Sequence, residues 1–201
     1  MFNNFRHIFL FLFIILTVNS YCQGNIDGKP FIKPKDDAFF TEKGFNVGVP
    51  VYSITLDEGY NYRPLLLMAN WGHKFSKKIK NGVWWMIIEP QFNPVFLDNK
   101  LKEAEFGVNL AFRYKYKLSD GLYFYAQLGS GPHFITISTS RQAHGYIFSD
   151  NLAFGFSKSI SKNIMLNVQA RIRHISNANI MLPNRGMNNG LIVLGISKLI
   201  N

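Results

Sequence analysis

Between Phe106 and Lys117 the chain alternates without a break, and this pattern restricts its fold more than any other feature. Phe106, Val108, Leu110, Phe112, Tyr114 and Tyr116 fall on one parity, and Gly107, Asn109, Ala111, Arg113, Lys115 and Lys117 on the other. A period of two puts these sets on opposite faces of a β-strand, one greasy and one polar. The pattern recurs, with Leu152, Phe154 and Phe156 opposing Asn151, Ala153, Gly155 and Ser157, and Trp84, Met86, Ile88 and Phe92 opposing Glu89, Gln91 and Asn93. Eight such segments lie near 45–56, 61–75, 82–97, 103–117, 121–138, 146–160, 163–178 and 190–200, separated by Gly, Asp, Asn and Ser clusters. No helical period competes.

A soluble barrel turns its apolar parity inward, whereas an outer-membrane barrel turns it toward lipid and keeps the lumen polar. Three features favour the membrane. The apolar faces are broad and aromatic, with Tyr and Trp near the strand ends. The polar faces carry Glu89, Arg113, Gln169, Arg171 and Arg173, which are able to pair across a narrow lumen. The connections after segments two, four and six are short, while those after three, five and seven are longer, as expected of periplasmic turns and outer loops. The expected fold is therefore all-β, an eight-stranded antiparallel outer-membrane barrel over residues 44–201, filled by its own side chains.

The first residues, "MFNNFRHIFLFLFIILTVNSYCQG", combine a basic residue, a short apolar run and small residues, which reads as a signal peptide over 1–22. A Pro-, Lys- and Asp-rich lead-in follows over 23–43. Cys22 is the single cysteine, so an exported chain cut after it has no disulfide to rely on. The net charge of +10 falls to +9 without Arg6, the one charged residue of that leader. Such a balance suits an anionic partner, and export makes that partner a membrane surface rather than nucleic acid.

The stretch that carries chemistry is "RHISNANIMLPNRGMN", Arg173 to Asn188. His174 and Ser176 continue the greasy parity of Ile164, Leu166, Val168, Ala170 and Ile172, so both face lipid at the outer end of strand seven. A base beside a hydroxyl is the minimum for nucleophilic acyl transfer, and the outward placement makes sense where the substrate ester is itself part of a lipid. An H-x-S at a strand end is ordinarily just headgroup-layer polarity; "PNRGMN" downstream sets this one apart.

Together these residues resemble the signature of the lipid A 3-O-deacylase (PagL) family of outer-membrane esterases, which includes bacterial proteins called acyloxyacyl hydrolases. The resemblance implies an eight-stranded barrel that removes an ester-linked acyl chain from lipid A. It implies His174 as base, Ser176 as nucleophile, Asn177 as a supporting residue, Asn184 as oxyanion donor and Gly186 as the residue permitting the turn. The family has a glutamate where this chain has Asn188. Asparagine can accept a hydrogen bond from imidazole but cannot neutralise imidazolium, and in a serine protease the equivalent Asp→Asn change costs about 10⁴ in turnover. Asp150, on the lipid-facing parity of strand six, is the candidate acid.

Two other readings stand beside deacylation of lipid A: a non-catalytic structural or adhesive barrel, for which Asn188 speaks, and an esterase acting on phospholipids. No cofactor or metal site is expected, since neither a ligand spacing nor a phosphate-binding loop occurs. The expected partners are lipid A or lipopolysaccharide and the outer membrane, with no nucleic acid; a homodimer is left open. Arg141, Arg185 and Lys100 fall in expected outer loops, within reach of lipid phosphates.

Overall fold

The computed structural model describes residues 41–75 and 82–200. The leader, nearly all of the lead-in and most of the connection after the second segment lie outside the described residues. Among the described residues nine strands run in chain order: β1 Glu42–Ser53, β2 Tyr62–Pro64, β3 Leu66–Lys74, β4 Gly82–Leu97, β5 Lys100–Ser119, β6 Leu122–Ile135, β7 Gly145–Ser159, β8 Ile164–Ser176 and β9 Met187–Leu199. Every pairing is antiparallel, β4 pairs β5, and β9 returns to β1, so the sheet closes on itself. β2 and β3 are one strand interrupted at Leu65, both running along β4, which makes the barrel eight-stranded. Closure removes the unpaired edges that a lipid environment cannot satisfy.

Alternation places the side chains as the pattern requires. Phe106, Val108, Leu110, Phe154, Phe156, Leu166, Val168 and Ile172 are exposed on the outer wall, while Glu89, Glu105, Asn109, Arg113, Arg171 and Arg173 are buried inside. Exposed Trp71, Trp84, Tyr116, Tyr52 and Tyr146 lie toward the two rims. In the lumen, Arg171 Nη2 meets Glu89 Oε1 at 2.9 Å, Arg173 Nη2 meets Glu105 Oε2 at 2.5 Å, and Lys115 Nζ meets Glu42 Oε2 at 3.0 Å. Tyr62 donates its hydroxyl to Glu105, and Ser149 Oγ accepts from Arg173 Nε at 2.9 Å. Each buried charge is thereby paired and hydrogen-bonded, the condition under which burial is tolerable.

Two features depart from expectation. The connection after the third segment is not a loop: β4 and β5 meet through Asp98 and Asn99 alone, at φ 49° and 59°. Two consecutive left-handed residues make a tight hairpin turn whose twist matches the strands, and Asp and Asn are among the few non-glycine residues that accept that conformation. β5 thus runs for 20 residues, roughly 65 Å at ~3.3 Å per residue, far more than a bilayer needs. The second departure is inside. The loop-bearing end of the lumen is apolar, filled by Leu56, Tyr62, Val95, Ile135, Ile147, Ile175 and Met187. This cluster plugs the barrel directly behind the wall that carries His174.

Candidate active site

β8 delivers the two expected residues to the outer wall. Arg173 and Ile175 are fully buried, His174 and Ser176 are half-buried, and Ile172, one step along the same face, is 64% exposed. His174 is more covered than its apolar neighbour because Gly186 folds back against its ring.

That segment is held by its own asparagines. Asn177 N donates to Asn184 Oδ1 at 2.8 Å, Asn177 Nδ2 to the Met181 carbonyl at 2.6 Å, and Asn184 Nδ2 to Asn179 Oδ1 at 3.0 Å. Asn177 and Asn184 are therefore brought together; Asn177 is buried, with its N–H and Nδ2 engaged inside the loop, and Asn184 is half-buried. Ile180, Met181 and Leu182, between them, are exposed and apolar, a tip suited to hydrocarbon.

Two further loops pin the segment. Arg185 N donates to the Arg141 carbonyl at 2.7 Å, and Ala143 N to the Pro183 carbonyl at 2.8 Å. From the 54–61 connection, Asp57 Oδ2 pairs with Arg185 Nη1 at 2.6 Å, and Glu58 takes both the amide and the hydroxyl of Ser140, at 3.0 and 2.9 Å. Hydrogen bonds from its own amide and from the Ser140 hydroxyl hold the Glu58 carboxyl below its usual range.

Gly186 closes the segment onto the histidine. Its φ is +67°, and a Cβ there would stand 2.5 Å from His174 Cε1 and 3.1 Å from Nε2. Glycine is required twice, for the left-handed backbone and for the close approach. Arg141 Nε donates to the Gly186 carbonyl at 3.3 Å, so a guanidinium lies one peptide away from the imidazole.

On β9, Asn188 is the register partner of His174, and its Oδ1 lies 2.7 Å from Nδ1. With the amide oxygen accepting, Nδ1 carries the proton and Nε2 presents its lone pair, the tautomer of a general base. Ser176 stands two residues on, about 6.6 Å along the strand at ~3.3 Å per residue, opposite the half-buried Phe148. Catalytic Ser–His hydrogen bonds commonly tighten only with substrate in place. Asp150 is the β7 partner of His174 and is exposed on the same wall; its Oδ1 accepts from Ser130 Oγ at 2.5 Å.

Sequence reasoning missed Ser130, whose polar side chain stands alone on the outward parity of β6 and gave no motif, and the contact of Arg141 with Gly186, which depends on two loops meeting. Of the remaining histidines, His133 lies inside the barrel against Asn109, and His144 Nδ1 meets Ser138 Oγ at 2.7 Å in the 136–144 loop. Among the described residues, no group of three or more His, Cys, Asp and Glu is placed to hold a metal.

Comparison with known proteins bears on the fold and the family. The crystal structure of the outer membrane enzyme PagL superimposes with a TM-score of 0.58 at 13% identity, covering 76% of this chain and 97% of that one. Neisserial surface protein A superimposes at 0.53 with 10% identity, covering 79% and 95%. At such identities the likeness establishes the fold, an outer-membrane β-barrel. No curated protein matches in sequence. The pattern of the lipid A 3-O-deacylase (PagL) family, however, matches residues 57–197, well over half of the chain and spanning every residue of the site. This chain is a bacterial outer-membrane barrel and belongs to the lipid A 3-O-deacylase family.

Proposed function

We propose that the protein is a serine esterase that removes an ester-linked acyl chain from lipid A at the outer end of β8. One observation carries the reading: in a chain of this family, His174 is held through Nδ1 by Asn188, beside Ser176, on the lipid-facing wall. Acyl chains of a membrane lipid arrive from that side, and the apolar tip 180–182 borders their path.

In the first step His174 Nε2 takes the Ser176 proton while Oγ forms a bond to the ester carbon, and the carbonyl electrons move onto oxygen. Donors from the Asn177 and Asn184 amides stabilise that oxyanion. Its collapse breaks the bond to the sugar oxygen, which leaves with the proton from Nε2. Water, deprotonated by the same nitrogen, then releases the fatty acid and restores Ser176. Asn188 orients the imidazole throughout, and Gly186 fixes the edge on which Nε2 lies.

Mass spectrometry of lipid A from cells producing the protein tests this. Loss of one acyl chain, absent with Ser176→Ala, is the expected result. Identical spectra would favour an inert barrel, the reading to which Asn188 lends weight, and cleaved phospholipids would change the substrate class.

A further inference from the structure

On the side of His174 away from the loops the outer wall is apolar, but at the level of His174 it is polar. Ser130 on β6, Asp150 on β7, His174 on β8 and Asn188 on β9 are successive register partners, one per strand. All four lie on the outward parity. Along their strands the next outward neighbours include Leu128, Leu152 and Ile172, each exposed to lipid. Hydrogen bonds close both ends of the row, Ser130 Oγ to Asp150 Oδ1 at 2.5 Å and His174 Nδ1 to Asn188 Oδ1 at 2.7 Å.

A carboxylate on a lipid-facing wall is costly, and such groups ordinarily mark function. Directly opposed residues of an antiparallel pair have Cβ atoms about 4.5–5.5 Å apart, so Asp150 stands within strong electrostatic reach of the imidazole. Asn188 satisfies Nδ1–H but brings no charge. Arg141, hydrogen-bonded to the Gly186 carbonyl next to the ring, has the wrong sign to stabilise imidazolium.

We propose that Asp150, held by Ser130, is the positioning residue that supplies this charge. It rests on the Ser176–His174 esterase reading and adds to it. When Nε2 receives the serine proton, the imidazolium forms between a neutral acceptor on β9 and a carboxylate on β7. The acid of the site thus stands on β7, across β8 from the Asn188 position on β9, and Ser130 fixes which way it faces.

The test is a pair of cycles on purified protein in detergent, following fatty-acid release from lipid A. Asp150→Asn is expected to lower kcat about 10²-fold, the usual effect of losing one electrostatic partner of a transition state, with KM little changed. Asp150→Glu keeps the charge and most of the rate. In an Asn188→Glu background, where a carboxylate already meets Nδ1, Asp150→Asn is expected to cost less than about tenfold. Equal losses in both backgrounds would mean a structural role, and no loss in the native background would mean no role; either overturns the proposal. If Ser176→Ala keeps its activity, the esterase reading itself has failed, whatever Asp150 does.

Discussion

Gly186→Ala isolates the contact on which the imidazole's position depends. The added Cβ lands 2.5 Å from His174 Cε1, against the ~3.5–4.0 Å at which two carbons settle, so ring or loop must move by about 1 Å. A displacement of that size at a reacting group costs on the order of 10²-fold in rate. Alanine at a left-handed φ adds about 1–2 kcal/mol of backbone cost, which shows as stability rather than turnover. Gly145→Ala supplies the control: its φ of +103° is also unfavourable, yet nothing lies within 4 Å of the new Cβ. Initial rates of fatty-acid release, with urea unfolding of both variants, separate the effects. Both should lose stability, while only Gly186→Ala should lose about 10²-fold in kcat. Equal activity of the two variants would show that the close approach to His174 has no catalytic consequence.

Removing one member of the lumen network should be felt through the whole barrel. Glu105→Gln leaves the fully buried Arg173 guanidinium without its counter-ion, a loss of about 3–5 kcal/mol that a lowered urea midpoint would report. The loop clasp should respond to acid. Because the Glu58 carboxyl titrates below its usual range when folded, its contribution is fully present above the unfolded carboxylate range and fades as pH falls through the lowered folded value. Hydrogen exchange at the Ser140 amide, Glu58's partner, should therefore exceed its intrinsic pH trend in acid, and Glu58→Gln should remove that excess.

The alternation of Phe106–Lys117 and its repeats made the strands, their faces and the membrane setting legible, because a period of two leaves each side chain only two directions. The outward projection of His174 and Ser176 followed from the same parity. Other features depend on distances that parity does not encode. Asp98 and Asn99 read as loop residues, and only the register of their flanks reveals a two-residue turn. Ile175 and Met187 lie on the polar parity, so a lumen plugged by an apolar cluster was hidden behind a pattern that was otherwise right. Ser130 acquires meaning only through three successive strand registers, each of which a one-residue slip would erase.

The two faces of the wall are coupled, so the candidate site is fixed from inside the barrel. His174 lies between Arg173 and Ile175, and each of those is anchored inside, Arg173 by Glu105 and Ser149, Ile175 by the apolar plug. On either side the ladder ties it to Asp150 and Asn188, whose own neighbours Ser149, Asn151, Met187 and Asn189 are likewise buried. Rotating the imidazole out of place as a unit with its backbone would drag charged groups from their partners. The lumen network therefore does more than hold the barrel together, because it sets the angle at which an imidazole and a carboxylate meet the bilayer. On this argument Glu105→Gln should lower kcat even under conditions where the variant is still folded, whereas an isolated surface site would lose only stability.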